Sequence, residues 1–445
     1  MRRLLLLVIF SFAMTGYSQD SLWTLEKCIN YAIENNLSIK QSDLDKKLFQ
    51  IELNSIKSSR YPSLSLSSSA GTNLGRSINP TTNQFENTQY TYTGISGGAS
   101  VLLFGWFQKK YSTQKSQLNL LKTNETYEQL KDDIVLNIST AYLRGLLAKE
   151  EIKNMEYQLD LSTSNKQRIE RLLNAGKSNL LELSQANTQL SIDSGIYLQA
   201  ILNYEQSLFE LKALMNFDFQ APISITYTST TDSSQPEIYI PEKVYQLALS
   251  TFHSVRSNEY AIQIAQKDIQ IVKAGSLPSI NTYYSTGTNY SSSFYEYLPN
   301  GERRLMNFGK QLNSNLSHSF SIGLSIPLFN NFSSRNAIKT ARIGLEKAYL
   351  ANEEGLLKLK KDIYAACTDY QLAIQKYENA NNQYIHAQKA FKAAEIRYEA
   401  GLIAYFEYLT EKNKYLKAQN DMSAFKYELQ FKKMLIDYYR KGSIQ

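Results

Sequence analysis

Residues 61–74, YPSLSLSSSAGTNL, recur as residues 277–290, LPSINTYYSTGTNY, at a constant offset of 216. Each copy has a proline at its second position, where the missing N–H is tolerated at the start of a strand. Small polar residues then alternate with apolar ones, which is typical of a strand with two different faces. The sequence therefore predicts the same strand twice.

The repetition continues beyond these strands. Residues 100–104, SVLLF, recur as residues 325–329, SIPLF, and the Ala-Gly pair at 175–176 recurs at 400–401, now at an offset of 225. Since the offset changes once, the second half carries a nine-residue insertion between Gly287 and Ser325. A period of about 220 residues is too long for a solenoid unit and indicates two copies of a whole folding unit.

A second strand pattern confirms the alternation within each copy. From Leu316 to Phe329, leucine, isoleucine, phenylalanine and histidine alternate with serine and glycine. We therefore expect a β-hairpin in each copy, at about 61–104 and 277–329, with polar loops at about 76–87 and 293–315. This pattern is typical of transmembrane barrel strands, although a soluble sandwich shows similar alternation. Four strands are too few for a barrel that spans a membrane, but several chains could contribute strands to one barrel.

The helical part of each copy has a heptad period. Along residues 345–398, one helix face carries apolar residues in steps of three and four, and a strict heptad over this distance imposes left-handed supercoiling. In the first copy the same face is interrupted by Ser162 and Lys166. The members in the second copy are Leu345, Tyr349, Asn352, Leu356, Leu359, Ile363, Ala366, Tyr370, Ala373, Tyr377, Ala380, Tyr384, Ala387, Phe391, Ala394 and Tyr398.

Each long helix should span about 65 to 70 residues, or about 100 Å. It should end at Gly176 or Gly401, because glycine readily adopts the left-handed conformation that terminates a helix. A return helix follows in each copy. Its apolar face includes Leu183, Leu190 and Tyr197 in the first copy, and Tyr408, Tyr415 and Met422 in the second.

The N-terminus predicts export. Met1-Arg2-Arg3 precedes an apolar run at 4–13 and small residues up to Ser18, which is the pattern of a secretory signal peptide. No cysteine follows the expected cleavage point, so no lipid anchor is expected. No later segment has an apolar run of about 18 residues, so a membrane-spanning part would have to be a β-barrel.

Composition and motifs exclude several classes of function. The net charge of +7 is slight, and basic residues alternate with acidic ones, so nucleic-acid binding is not expected. The three histidines have no ligands at metal spacing, and nucleophile and phosphate-loop motifs are absent, so we expect no enzyme, metal or cofactor. Cys28 and Cys367 lie on predicted apolar faces in different copies, and a disulfide between them is disfavoured but left open.

At this point the chain resembles the TolC-type outer membrane efflux protein family over essentially the whole mature sequence. The duplicated order of elements, the Pro-Ser-Leu and Leu-Phe strand ends, the segment Thr140-Ala141-Tyr142-Leu143 and both Ala-Gly pairs carry the resemblance. It implies a mixed α and β membrane protein, mostly α: a homotrimer with a twelve-stranded outer-membrane β-barrel, four strands per chain. A periplasmic α-helical coiled-coil barrel would continue it, with an equatorial belt from the linker and the C-terminus.

The resemblance also implies which residues carry function. The Ala-Gly turns would lie at the periplasmic tip and contact a periplasmic adaptor protein, and acids with an aromatic residue near the tips would narrow the entrance. A basic residue that locks this entrance in relatives is replaced here by Ile403. The implied adaptor-contacting residues are Ala175, Gly176, Lys177, Ser178, Ala400, Gly401, Leu402 and Ile403, and the implied entrance residues are Glu182, Glu407 and Tyr398.

The sequence thus predicts a passive exit duct in the outer membrane of a Gram-negative bacterium, serving a tripartite efflux or type I secretion system. Its expected partners are two further copies of itself, the adaptor, an inner-membrane pump of undefined class and outer-membrane lipid. The alternative is an exported coiled-coil structural or adhesive protein. The expected organisation is a signal peptide at 1–18, a first repeat at 19–216 with its helical hairpin at about 106–215, a linker at 217–240, and a second repeat at 241–445 with its helical hairpin at about 332–440.

Overall fold

A computed structural model describes residues 22–78, 83–226, 237–299 and 301–442. The predicted signal peptide, residues 1–18, lies outside the described residues. The helices are α1 (Leu25–Asn35), α2 (Leu37–Ser58), α3 (Gln108–Asn174), α4 (Leu180–Met215), α5 (Pro241–Thr251), α6 (His253–Gly275), α7 (Phe308–Ser314), α8 (Ser333–Glu399) and α9 (Tyr405–Lys441). The strands are β1 (Leu22–Trp23), β2 (Ser63–Ile78), β3 (Phe85–Phe104), β4 (Ser224–Ile225), β5 (Ser279–Ser291), β6 (Tyr295–Tyr297), β7 (Arg303–Leu305) and β8 (Ser317–Ser325).

The predicted long helices are present in both copies. Helices α3 and α8 contain 67 residues each, about 100 Å at 1.5 Å per residue, and α4 and α9 follow them after short turns. The heptad prediction for α8 is confirmed between residues 359 and 398, because no member of the series there is exposed. None of the helices in the described ranges combines the length and apolar composition of a membrane crossing.

The chain forms two compact units that do not coincide with the two sequence repeats. One unit contains Met1–Ser42, Glu128–Phe252 and Leu359–Gln445. The other contains Asp43–Tyr127 and His253–Lys358. Each unit therefore combines segments from both halves of the sequence, as expected if the two copies fold together.

In the first unit, the linker packs against the middle of α3. Strands β1 and β4 pair in parallel, and the Tyr142 hydroxyl lies 2.7 Å from the Trp23 carbonyl oxygen and 2.6 Å from that of Thr226. A Cβ on Gly145 would meet the Ile225 side chain at 2.7 Å. A larger residue at 145 would therefore force the buried Ile225 side chain to shift.

The second unit contains a four-stranded antiparallel sheet in the order β2-β3-β5-β8. The β3–β5 pairing joins the hairpin of the first copy to that of the second. Strands β2 and β8 form its two edges, and each has one long side with no strand partner within the described residues.

The pairing register places most of the apolar residues of the four strands on one face. Leu66 pairs with Gly97, Gly97 with Thr286, and Thr286 with His318, so these four positions lie on that face. The opposite face consists mainly of serine, asparagine and glycine, together with Tyr92, Leu102 and Tyr283. Serine hydroxyls of this second face pair across strands β2 and β3 at 2.8 to 3.0 Å. The exposed apolar side chains of the first face include Leu64, Leu66, Leu74, Ile95, Tyr284, Phe320, Ile322 and Leu324.

The insertion of the second copy is folded, so the prediction of a polar loop at 293–315 was wrong. It contains the β6–β7 hairpin and the short helix α7. The Gln311 side chain is fully buried and bonds to the Ser291 backbone N–H and carbonyl at 2.8 and 3.0 Å. The Tyr290 and Phe308 rings also pack at 5.1 Å. One buried amide thus fixes the insertion to β5, a contact that turn composition does not reveal.

Both cysteines are free and buried in the first unit. Burial raises the pKa of the Cys28 thiol to about 12, and burial also raises the pKa of Cys367. The disulfide that the sequence left open is therefore not formed, and both thiols act as small core residues.

Candidate functional site

Both helical hairpins turn through the same backbone motif. The Gly176 N–H donates to the Leu173 carbonyl at 2.9 Å, and the Lys177 N–H donates to the Leu172 carbonyl at 2.8 Å. These two bonds define a Schellman motif, whose glycine is left-handed, with φ of +68° here.

The second turn repeats the motif. The Gly401 N–H donates to Tyr398 at 3.0 Å, and the Leu402 N–H donates to Arg397 at 2.8 Å, with φ of +72° at the glycine. The sequence therefore located both turns correctly.

The first turn fixes its acidic residue locally. The Asn179 side chain caps α4 by accepting from the Glu182 N–H at 2.9 Å. The Ser178 hydroxyl donates to the Glu182 carboxylate at 2.6 Å. Ala175, Gly176 and Lys177 are exposed. Glu182 is thus held in the first turn of α4, where the helix dipole also favours a negative charge.

The second turn holds its acidic residue less firmly. Helix α9 begins after Ala404, which has no side chain that can cap it, and Glu407 is exposed in its first turn. Ala400, Gly401 and Leu402 are exposed, whereas Ile403 is half-buried against an apolar cluster. Two residues at equivalent positions, Glu182 and Glu407, therefore have different surroundings.

The tips also expose four large apolar side chains, of which the sequence analysis had singled out only Leu402. They surround both Schellman turns, and each is about two-thirds or more exposed. An apolar patch of this kind on a helical tip is a candidate protein-binding surface. The four residues, here called the apolar tip residues, are Leu180, Leu181, Leu402 and Phe406.

Tyr398 is packed between the two hairpins. Its ring stacks on Tyr408 with centroids 4.8 Å apart, and the Arg168 guanidinium of α3 lies 4.7 Å from the ring centroid. Arg168 also donates to the carbonyl oxygens of Tyr398 and Glu399, both at 3.2 Å. Burial raises the pKa of the Tyr398 hydroxyl. The Arg168 guanidinium opposes this shift, and the Glu182 carboxylate adds to it. We call these contacts the Arg168 clasp.

An apolar cluster packs the hairpins together next to the clasp. Phe391 and Tyr415 stack at 5.2 Å with their planes 6° apart. Burial raises the pKa of the Tyr405 hydroxyl to about 12. The buried members are Ile169, Ala186, Phe391, Tyr405, Tyr408, Tyr415 and Leu416, from helices α3, α4, α8 and α9.

A charged pair is buried among three helices. The Lys412 ammonium of α9 lies 3.4 Å from the Asp193 carboxylate of α4, and it donates to the Ser162 hydroxyl of α3 at 2.6 Å. Asp193 also accepts from Ser162, from Gln158 at 2.6 Å and from Gln189 at 2.8 Å. Burial lowers the pKa of Lys412, and the Asp193 carboxylate opposes this shift. These five residues are called the buried charge cluster.

The sequence contained a signal for this cluster. Asp193 falls between Leu190 and Tyr197 on the apolar face of α4, and Lys412 falls between Tyr408 and Tyr415 on that of α9. Ser162 interrupts the apolar face of α3. Polar residues at seam positions of three helices predict a shared buried contact, which the sequence analysis did not infer. Arg168 had no comparable signal, because it lies outside the heptad series.

The described residues contain no group of three or more histidine, cysteine or acidic side chains that could hold a metal ion. The candidate site is a surface of helical tips, with the Arg168 clasp and the buried charge cluster behind it.

Long helical hairpins and a four-stranded sheet are also the fold of a solved outer membrane channel, and a family comparison identifies the class of protein. The model of the outer membrane efflux protein family matches residues 28–216 and 244–432, so the chain belongs to this family. The two matched segments are displaced by 216 residues, the offset of the strand repeat. Membership makes the chain an efflux channel of the Gram-negative outer membrane.

Individual relatives are distant. The cation efflux system protein CusC of Escherichia coli O157:H7 is 22% identical over 338 residues, covering 75% of this chain and 68% of that protein. The alkaline protease secretion protein AprF of Pseudomonas aeruginosa is 21% identical over 240 residues, covering 53% and 46%. The solved CmeC outer membrane channel of Campylobacter jejuni superposes with a TM-score of 0.79 at 16% identity, covering 95% of this chain and 86% of that one. This likeness shows a shared fold.

The turn geometry leads to a prediction about glycine. A Cβ at Gly176, Gly401 or Gly195 would meet nothing within 4 Å, so only the backbone conformation separates these sites. Gly176→Ala and Gly401→Ala should each destabilise the protein by about 1 kcal/mol, because alanine disfavours left-handed φ. Gly195→Ala, within α4, should stabilise it by about 0.5–1 kcal/mol. Thermal unfolding in detergent measures the stability of the three variants. Equal shifts of the unfolding temperature in all three would contradict the assignment of left-handed turns to Gly176 and Gly401.

Proposed function

We propose that three copies of this chain form the exit duct of a tripartite efflux or type I secretion system, and that a periplasmic adaptor opens it at the helical tips. The duct would be passive, driven by an inner-membrane pump. The names of CusC and AprF connect such channels to cation efflux and to protease secretion respectively. Both kinds of system are compatible with the chain.

The observation that carries this proposal is the four-stranded sheet. Within the described residues it has two edges without strand partners, one mainly apolar face and one mainly small and polar face, and its edge strands β2 and β8 are largely exposed. Unpaired edges are costly in a membrane, where each backbone group must find a partner. Three copies pairing β8 of one with β2 of the next would give twelve strands, with the apolar face toward lipid and the polar face toward water.

An exported coiled-coil stalk explains this sheet less well. A stalk would account for the heptad seams but would leave the apolar face of the strands in water. A soluble sandwich would require a second layer over that face, whereas Ser291 is the one buried residue among the described positions of β2, β3, β5 and β8. The membrane duct therefore accounts for both the helices and the strands.

The tips are the proposed contact with the adaptor. The turn residues 175–178 and 400–403 would meet its helical hairpin, and the exposed apolar tip residues supply the hydrophobic area that such an interface needs. Since Ile403 is half-buried in this chain, we expect Leu402 and Phe406 to contribute more to binding than Ile403.

The entrance is proposed to be closed by contacts between the hairpins. The Arg168 clasp joins α3 to the end of α8 and supplies the basic group that is missing at Ile403. Glu182 and Glu407, repeated in three copies, would form acidic rings at the mouth that attract cations. Adaptor binding would separate the hairpins by displacing the clasp.

The assembly is tested by extraction and mass. The chain should require detergent for release from outer membranes, because its apolar strand face contacts lipid. In detergent, light scattering should give a protein mass of about three times that of one mature chain, as expected for closed assemblies of identical subunits. Release by salt alone, or a single-chain mass, would favour the stalk.

The adaptor contact is tested by a charge at the tip. Phe406→Asp should abolish export in cells, because a buried charge at a hydrophobic interface is strongly unfavourable. The amount of assembled protein in the outer membrane should not change, since Phe406 is exposed. Asn413→Asp adds the same charge to an exposed position of α9 and should leave export intact. Normal export by Phe406→Asp would refute the assignment.

The entrance is tested in planar bilayers. Arg168→Ala should raise the conductance of the isolated channel, because both carbonyl contacts and the ring contact are lost. Arg171→Ala removes an exposed arginine one turn away and should have no effect. Unchanged conductance in Arg168→Ala would refute the clasp as a closing contact.

In the same recordings, Glu182→Gln with Glu407→Gln should reduce the preference of the channel for cations.

A further inference from the structure

We propose that the buried charge cluster is a positioning element that fixes α9 against the α3–α4 hairpin, so that separation of the tips occurs only on its tip side. The second part rests on the proposed function, because it concerns opening. The first part, fixation of α9, does not depend on it.

The burial of Lys412 carries the first step. Its side chain is 2% exposed and that of Asp193 is 0% exposed, whereas lysine and aspartate are almost never fully buried unless paired. Their contacts come from three different helices. Moving α9 relative to α3 or α4 would therefore leave a charge buried without its partner, which is strongly unfavourable.

The cluster does more than hold the helices together. Replacing a buried ion pair with apolar residues is often neutral or stabilising, so stability alone does not explain a lysine here. An apolar seam tolerates sliding, because its contacts have little directionality. A lysine that must meet one hydroxyl and one carboxylate has a single register, as a polar residue at a coiled-coil seam does.

A second polar layer lies farther from the tips. Asn154 of α3 donates to the Asn420 side chain of α9 at 2.9 Å and accepts from Gln419 at 2.7 Å. Helices α3 and α9 are therefore joined by directional contacts at two levels. These layers define the part of the hairpins that we assign as fixed.

The contacts on the tip side are of a different kind. The Arg168 clasp uses half-buried groups that water can replace, and the apolar cluster beside it consists of stacked rings. Both can separate or slide without leaving an unpaired charge in a dry core. The buried charge cluster is thus the boundary between the part of the hairpins that can open and the part that cannot.

Spin labels on one chain test the fixation directly. Cysteines replace Glu156 on α3 and Lys417 on α9, both exposed and both on the far side of the cluster from the tips. Both native cysteines are buried and should not take the label. Labelled chains are diluted with unlabelled ones, and pulsed electron resonance gives the distance distribution within one chain. We expect a narrow distribution in the otherwise wild-type protein.

The decisive variant is Asp193→Leu with Lys412→Met, which keeps an apolar seam without the ion pair. Its distance distribution should broaden and shift, because the register is no longer fixed. Glu411→Leu with Lys414→Met removes a partly exposed ion pair of the same helix and should leave the distribution unchanged. A distribution that stays narrow in the cluster variant would overturn the proposal.

A second variant keeps the test decisive if the double variant does not assemble. Ser162→Ala removes only the hydroxyl between Lys412 and Asp193, and it should also broaden the distribution. No broadening would overturn the proposal. A second pair of labels, at Lys177 and Leu402, reports the distance between the tips in Arg168→Ala. There the tip distance should increase while the 156–417 distance stays constant. Equal movement of both pairs would overturn the boundary, whereas immobile tips would refute the clasp and leave the fixation result standing.

Discussion

The constraint on which the rest of this chain depends is that its four-stranded sheet has no core of its own. Strands β2 and β8 leave open edges, and one face presents leucine, isoleucine and phenylalanine without a covering layer. A sheet of this kind is unsuited to an isolated soluble chain. In the proposed duct, strands of neighbouring copies would pair with its edges and lipid would cover its apolar face, so assembly and membrane insertion would be one requirement.

The helical part, unlike the sheet, has a packed seam within one chain. Its seam buries an alternation of large residues and alanine, and it is packed within a single chain by residues such as Ile363, Ala366 and Tyr370. Such a seam is stable but permits sliding, and a channel that opens at one end needs a limit to that sliding. Directional polar contacts at Lys412 and Asn154 supply the limit at little cost in packing.

Periodicity predicted the parts of this fold that depend on a repeated pattern. Local spacing predicted the apolar face of α8, the two glycine turns and the alternation of the strands. In a helix or strand, residues at a fixed spacing lie on the same face, so burial of that face imposes a regular pattern on the sequence. The folded insertion and the Arg168 clasp instead depend on a few specific side-chain contacts that follow no repeated pattern. The cluster of Lys412 lies between these cases, since its members interrupted the pattern at seam positions but their meeting required the tertiary structure.

The duplicated sequence does not produce two equivalent tips. The same Schellman turn is kept at Gly176 and Gly401, because both helices must end and reverse. Beyond the turn the copies diverge: Ser178 and Asn179 fix Glu182, whereas Glu407 is exposed after the uncapped Ala404. The first hairpin also supplies the arginine that holds the second. Closure by a residue outside both turns would let each tip keep the sequence that its own contact with a partner requires.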